Sequence, residues 1–367
     1  LGIANAEQHI SKLKSLKVIR YAAYKSQYIL FEGTDIDIEA ELYHASSVVP
    51  RPVLTVDNIE EYVHQKAMLA LESYYRTGTP RYFKFKISNT PIHDEPKDDT
   101  DGFVNLIFPT GTSLTDVLQA SNNNGRAILY AYFRNTDDII KHLHEIKKLK
   151  YLKEKVVLED RVASNEVDNI LNYETEQLSS ALNDTLFDGN SVVWVYNAQQ
   201  IAINSHRDLN HRLSMICSDV YSNAPILRNE LFNRHKVTSV ISAARVNLLD
   251  AILAHADKAD LGFRADAFPP EKTIYYTLLQ ETGMHHQAED GTFYFGEPQN
   301  DNVRALWNAC CDFVAGSTEK PRKLSELINI LKAAPFKLKQ GVLDFWLPIF
   351  LYIKQQEFAL YEDGKFI

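Results

Sequence analysis

Residues 81–87, Arg-Tyr-Phe-Lys-Phe-Lys-Ile, alternate side chains with a period of two, the spacing of a half-buried strand and not of a helix. Residues 103–108, 127–133 and 191–196 are three further short runs of strand length and composition. Between and after them stand stretches with helical spacing. Residues 113–120 read as a short helix, and 137–155 and 160–186 as longer ones, the last with Val162, Val167, Ile170, Leu171, Leu178 and Leu182 on one side. Strands interleaved with helices bury a sheet beneath helices. The expected fold class is therefore mixed α/β and helix-rich.

A helix is expected over 59–76, ended by Thr77-Gly78-Thr79-Pro80, and the Asn-, Pro- and Asp-rich stretch 88–101 reads as an exposed loop. Beyond residue 200 the pattern is helical, with helices expected at 209–220, 224–233, 238–255, 270–283 and 302–315.

Both ends suggest partial winged-helix units. At the front, Asn5 with Gln8 three residues on resembles a capping box opening a helix with Ile10, Leu13 and Leu16 on one face. Two short strands, 17–21 and 27–31, follow around a polar turn at Tyr24 to Ser26. Gly33-Thr34-Asp35 then opens a helix whose early acids, Asp35, Asp37 and Glu39, suit the positive end of its dipole. At the back, helices over 324–332 and 338–355 flank Ala334-Pro335, and Glu362-Asp363-Gly364 punctuates a hairpin. The organisation read from this is an end of a winged-helix unit over 1–34, an α/β domain over 35–200, a helical domain over 201–318 and a winged-helix-like unit over 319–367.

Charge and cysteine content narrow the function classes. The formal net charge is −9, which makes the chain a poor candidate for wrapping nucleic acid over its whole surface, and any phosphate contact must be local. Cys217, Cys310 and Cys311 form neither a disulfide framework nor a thiolate metal site, which fits a reducing cytoplasm. No run reaches the roughly 20 apolar residues of a membrane span, so no membrane partner is expected. The first residue is Leu and the first Met is Met68, so the chain reads as an excerpt of a longer protein.

A phosphate-binding Gly-x-x-x-x-Gly-Lys-Ser/Thr loop is absent from the sequence. The His groupings His142 with His144, His206 with His211, and His285-His286 lack a third ligand nearby in sequence, so no metal is assigned. Glu145-Ile146-Lys147 has the Glu-x-Lys spacing of metal-dependent nucleases, but that chemistry wants a strand and its surroundings read as helix. No catalytic residue is assigned. Basic clustering remains. Lys147, Lys148, Lys150, Lys153 and Lys155 share one helix. Lys337, Lys339 and Lys354 surround the carboxy-terminal unit and are candidate nucleic-acid contacts, with solvation of a helix face as the plainer reading. Arg228, on the expected helix 224–233, and Arg234, just past its end, are candidate sensors of a nucleotide phosphate on a neighbouring domain.

Four phrases carry a family resemblance: residues 28–39, Tyr-Ile-Leu-Phe-Glu-Gly-Thr-Asp-Ile-Asp-Ile-Glu; 229–234, Asn-Glu-Leu-Phe-Asn-Arg; 269–275, Pro-Pro-Glu-Lys-Thr-Ile-Tyr; and 359–366, Ala-Leu-Tyr-Glu-Asp-Gly-Lys-Phe. They resemble segments of large bacterial ATP-binding proteins, in which an AAA-like or STAND-like P-loop NTPase domain precedes winged-helix and α/β regions. Some of these proteins are linked to defence against phage, including bacteriophage exclusion (BREX)-type systems. The reading that joins this resemblance to the truncated helix–hairpin pattern at each end, the absent start Met and the missing phosphate loop is a regulatory or interaction module without a catalytic motif of its own. The resemblance also implies ATP and magnesium bound by the parent protein, not by this segment, and an upstream NTPase domain as partner. DNA, or another protein subunit, is the alternative partner, through the carboxy-terminal winged helix. A metal-dependent nuclease is the remaining alternative.

Overall fold

The computed structural model describes residues 5–366 apart from 17, 23–24, 31–32, 35, 63–64, 98, 123–124 and 364. It begins with α1 (Ala6–Ser15) and the antiparallel hairpin β1 (Ile19–Ala22) and β2 (Gln27–Leu30), followed by α2 (Ile38–Val48) and α3 (Val56–Glu60). The sheet region runs β3 (Met68–Leu69), α4 (Leu71–Thr77), β4 (Tyr82–Ser88), β5 (Gly102–Ile107), α5 (Leu114–Ser121) and β6 (Ile128–Phe133). It continues through α6 (Asp137–Lys155), α7 (Arg161–Leu186), β7 (Val192–Tyr196), β8 (Gln199–Ile201) and α8 (His206–Val220).

Strands β3 to β8 form one six-stranded sheet in sequence order. The central β4, β5 and β6 are parallel, and β3, β7 and β8 pair antiparallel at the flanks. Period-two alternation sorts the side chains. Val104, Leu106, Leu129, Ala131, Phe133, Val192 and Trp194 meet the helices α6, α7 and α8, while Phe103, Ile107, Ile128, Tyr130, Val193 and Val195 pack under α5. Burying each of the Val, Leu, Ile and Phe side chains contributes about 1.5–3 kcal/mol, so register is fixed from both faces. The α6–α7 hairpin outruns the sheet, and its far end forms a small core with Ile38 and Ala45 of α2.

The second body comprises α9 (Ser239–His255), α10 (Pro270–Tyr275), the small hairpin β9 (His285–Gln287) and β10 (Phe293–Phe295), α11 (Arg304–Ala315), α12 (Leu324–Lys332) and α13 (Gln340–Ile353). A last hairpin pairs β11 (Tyr361–Glu362) with β12 (Lys365–Phe366). One apolar cluster runs through this body from Leu227 to Phe350.

Several expectations need correction. The helix expected over 59–76 is broken into α3, the edge strand β3 and α4, because Met68 and Leu69 pair with Phe83 and Tyr82. Edge strand β8 was missing from the sequence reading. The helix expected over 224–233 is irregular: the Asn229 side chain accepts from Leu231 N–H at 3.1 Å, a local bond that competes with helix formation. Helix 270–283 divides into α10 and a π-helical turn at Tyr276–Gln280. Asn5 adopts a left-handed conformation with no side-chain cap bond, so the capping box is not formed. Asp37, and not the Gly33-Thr34-Asp35 phrase, caps α2 by accepting from Ala40 N–H. Asp35, Lys17, Tyr24, Phe31 and the hairpin turn residue Gly364 lie outside the described residues.

Helix, turn, helix and hairpin do follow one another at the back, but α13 buries Val342, Leu343, Phe345, Trp346, Ile349 and Phe350. A recognition helix must show a face to its target, and α13 is the centre of a core. A division at residue 318 would cut that core, and α8, beyond residue 200, packs on the sheet.

Candidate functional site

The two bodies meet at the amino ends of the three parallel strands, where Arg81, Asp101 and Lys339 are buried together. Their side chains are 3%, 0% and 1% exposed. Local backbone rules place each one. Helix α4 ends at Gly78 with φ 73°, and a Cβ there would stand 2.6 Å from the Leu227 carbonyl oxygen and the Arg228 Cα. Glycine is the residue that both tolerates this φ and permits this approach. The turn it makes delivers Arg81 to the start of β4. Asp101 immediately precedes Gly102, which pairs with Phe83 in the parallel register and where a Cβ would meet the Phe83 ring. Lys339 directly precedes α13, whose second residue, Gly341, packs on the carbonyls of Phe232 and Arg234.

Arg81 Nη1 donates to Asp101 Oδ1 at 2.9 Å and to the Lys337 carbonyl at 2.7 Å, and Nη2 donates to the Phe336 carbonyl at 3.1 Å. Lys339 Nζ reaches both Asp101 oxygens, at 2.9 and 2.8 Å, and Tyr82 N–H donates to Oδ2 at 2.9 Å. The Arg81 guanidinium lies 4.3 Å over the Tyr221 ring, whose hydroxyl donates to the Asp101 carbonyl. Burial pushes the Asp101 carboxyl up, but Arg81 and Lys339 together hold it below the usual carboxylate range. Burial, against the attraction of Asp101, brings the Lys339 ammonium down to about 8. Burial likewise pushes the Tyr221 hydroxyl up.

The irregular loop before α9 is wedged between the bodies by asparagines. Asn233 Nδ2 lies within 3.1 Å of the Gly78 carbonyl, the Leu227 carbonyl and Thr79 Oγ1, and Asn229 Nδ2 donates to Thr277 Oγ1 at 3.1 Å. Next along the loop, His235 Nε2 is buried without a hydrogen-bond partner among the described residues, and Asp99 Oδ1 lies 4.0 Å from its Nδ1. Burial first, then the charge of Lys339, brings the His235 imidazole down to about 4, so it is neutral near pH 7.

Two adjoining clefts open on this junction, of about 490 and 880 Å³, with Asp99, His235 and Lys236 in both linings. The larger is walled by Gly125, Arg126 and Ala127 at the start of β6, by the returning loop at Glu95 to Lys97, and by the segment between α12 and α13.

The candidate nucleic-acid contacts fall differently from expectation. Lys339 is consumed by Asp101, and Lys337 is buried with Nζ donating to the Pro96 carbonyl at 2.7 Å. Lys354, with its side chain 14% exposed, pairs with Glu357 at 2.8 Å and Glu297 at 3.7 Å. All three are engaged within the protein and do not form a phosphate-facing row on an exposed helix. Arg228 and Arg234 are exposed, with Arg228 Nη2 donating to the Arg76 carbonyl at 3.2 Å and Arg234 Nε to the Glu230 carbonyl at 2.6 Å. Of the two, Arg234 lines the smaller of the two clefts described above.

Sequence reasoning missed Arg81 and Asp101. The sole signal was a charge at the threshold of each strand, 20 residues apart. The histidines read as candidate ligands are separately engaged: His142 with Glu174, His144 with the Val49 carbonyl, His211 with Glu72 and His285 with Tyr275. Glu145 lies in α6 and pairs with Lys148, so Glu145 and Lys147 do not share a strand. Among the described residues no helix is long and apolar enough to cross a membrane. Comparison with family models, curated proteins and solved structures finds no match to this chain.

Proposed function

We propose that this chain is a non-catalytic interaction module of a larger ATP-binding protein of the kind linked to phage defence, in which it passes movement between an NTPase domain and a partner. The observation that carries the reading is the buried Arg81–Asp101–Lys339 cluster. It ties the start of two central strands to the start of α13, residues 238 apart in sequence. A sheet body and a helical body joined through buried charge and two backbone carbonyls resist being turned against one another, which suits a rigid transmitter. The phrases at 229–234 and 359–366 support the choice of parent. ATP and magnesium belong, on this reading, to the parent's P-loop domain. A cytoplasmic setting is supported by three unbridged cysteines.

The test uses the parent protein and this chain separately. The purified chain is expected to leave ATP intact, while its excision from the parent alters the parent's rate of ATP hydrolysis. Hydrolysis by the purified chain, or a parent indifferent to the excision, sinks the reading.

A further inference from the structure

The larger cleft has a charge pattern that the ion cluster does not use. Among the described residues, five cations line it, Lys97, Arg126, Lys236, Lys332 and Lys337, against two carboxylates, Glu95 and Asp99, in a chain whose net charge is −9. Lys337 holds the Pro96 carbonyl. The other four, all at least partly exposed, make no side-chain hydrogen bond or ion pair among the described residues. They come from four separate segments: the loop before β5, the start of β6, the loop before α9 and the end of α12. Like charges brought into one concave site repel one another, and an anion relieves that repulsion.

We infer that this cleft binds a phosphate chain, the shared group of a nucleoside triphosphate and a nucleic-acid backbone. Three features select this chemistry. An excess of three positive charges matches a multiply charged anion better than a single carboxylate. Three of the four uncommitted cations are lysines, point charges that suit tetrahedral phosphate oxygens, whereas carboxylate recognition favours the planar fork of arginine. The volume of about 880 Å³ falls within the usual range of small-molecule sites. The Tyr221 ring is buried with Arg81 over one face, which makes it a poor stacking surface for a base, and the charged side chains of the lining favour recognition through the phosphates. This inference stands apart from the interaction-module reading.

The experiment is calorimetric titration of the full chain with sodium tripolyphosphate at low ionic strength. One-to-one binding is expected, with Kd of about 1–100 μM. Lys236→Ala/Lys332→Ala and Lys97→Ala/Arg126→Ala are each expected to weaken it about tenfold, which is ~1.4 kcal/mol, with unchanged melting temperature. Lys12→Ala/Lys14→Ala on α1, equal in charge removed, is expected to leave Kd unchanged. Competition by ATP, with adenosine inert, assigns the chain to a nucleotide. Competition by an eight-residue oligothymidylate and not by ATP assigns it to a nucleic-acid backbone. Absence of saturable binding below about 1 mM, an unchanged Kd in both cleft variants, or equal competition by poly-glutamate overturns the inference.

Discussion

Replacing Asp101 by Asn tests the central junction most directly. The substitution preserves shape and an acceptor for Tyr82 N–H, yet it leaves the Arg81 and Lys339 cations, 3% and 1% exposed, without their shared anion. Stranding buried charge costs about 3–5 kcal/mol. Lys339→Met is a different perturbation. It removes the third charge, leaves the Arg81–Asp101 pair balanced, and spares the desolvation that holds the lysine down at about 8. Its expected cost is within about 1 kcal/mol of zero. The double variant retains Arg81 alone and falls between them. Urea unfolding followed by tryptophan fluorescence measures all three, with Trp194 reporting the sheet core and Trp307 and Trp346 the helical core. Asp101→Asn within about 1 kcal/mol of the parent sequence, or Lys339→Met as damaging as Asp101→Asn, would refute the account of the cluster as two cations organised by one anion.

Acid sensitivity is expected from His235, whose folded value of about 4 lies below the ordinary 6.5. The unfolded chain binds the extra proton between those values, so stability falls as pH drops from 6.5 toward 4 by roughly 2–3 kcal/mol. His235→Gln should flatten that part of the stability profile, and parallel wild-type and variant profiles would count against it. Gly341→Ala places a methyl group against the Phe232 and Arg234 carbonyls and is expected to cost about 1–3 kcal/mol in urea unfolding; an unchanged midpoint would contradict the close packing of α13. Burial pushes the Cys217 and Cys310 thiols up to about 12, and thiolate is the reactive form. Titration with a disulfide reagent at pH 8 should therefore modify Cys311 first, with Cys217 and Cys310 following only on unfolding.

Local patterns made much of the fold legible. Helices α6 and α12 span the residues expected of them from helical spacing, and β4 to β7 follow from short runs of strand composition, because these elements are set by residues near in sequence. Elements set by distant partners were not legible. Strand β3 exists because Phe83 and Tyr82 accept it at an edge, and the loop before α9 follows Asn233, which reaches back to Gly78. The lysines at 337 and 339 stood out as charge, but charge alone does not tell a solvated face from a buried pair. The discriminating fact was an aspartate 238 residues earlier, which no window on the carboxy-terminal segment contains.

The Arg81 contacts also bear on synthesis. Both carbonyls that receive its outer nitrogens, at Phe336 and Lys337, leave the ribosome more than 250 residues after the arginine itself. Until they arrive, the guanidinium has Asp101 and the Tyr221 ring as partners but lacks both carbonyl acceptors, and a product terminated before residue 336 never gains them.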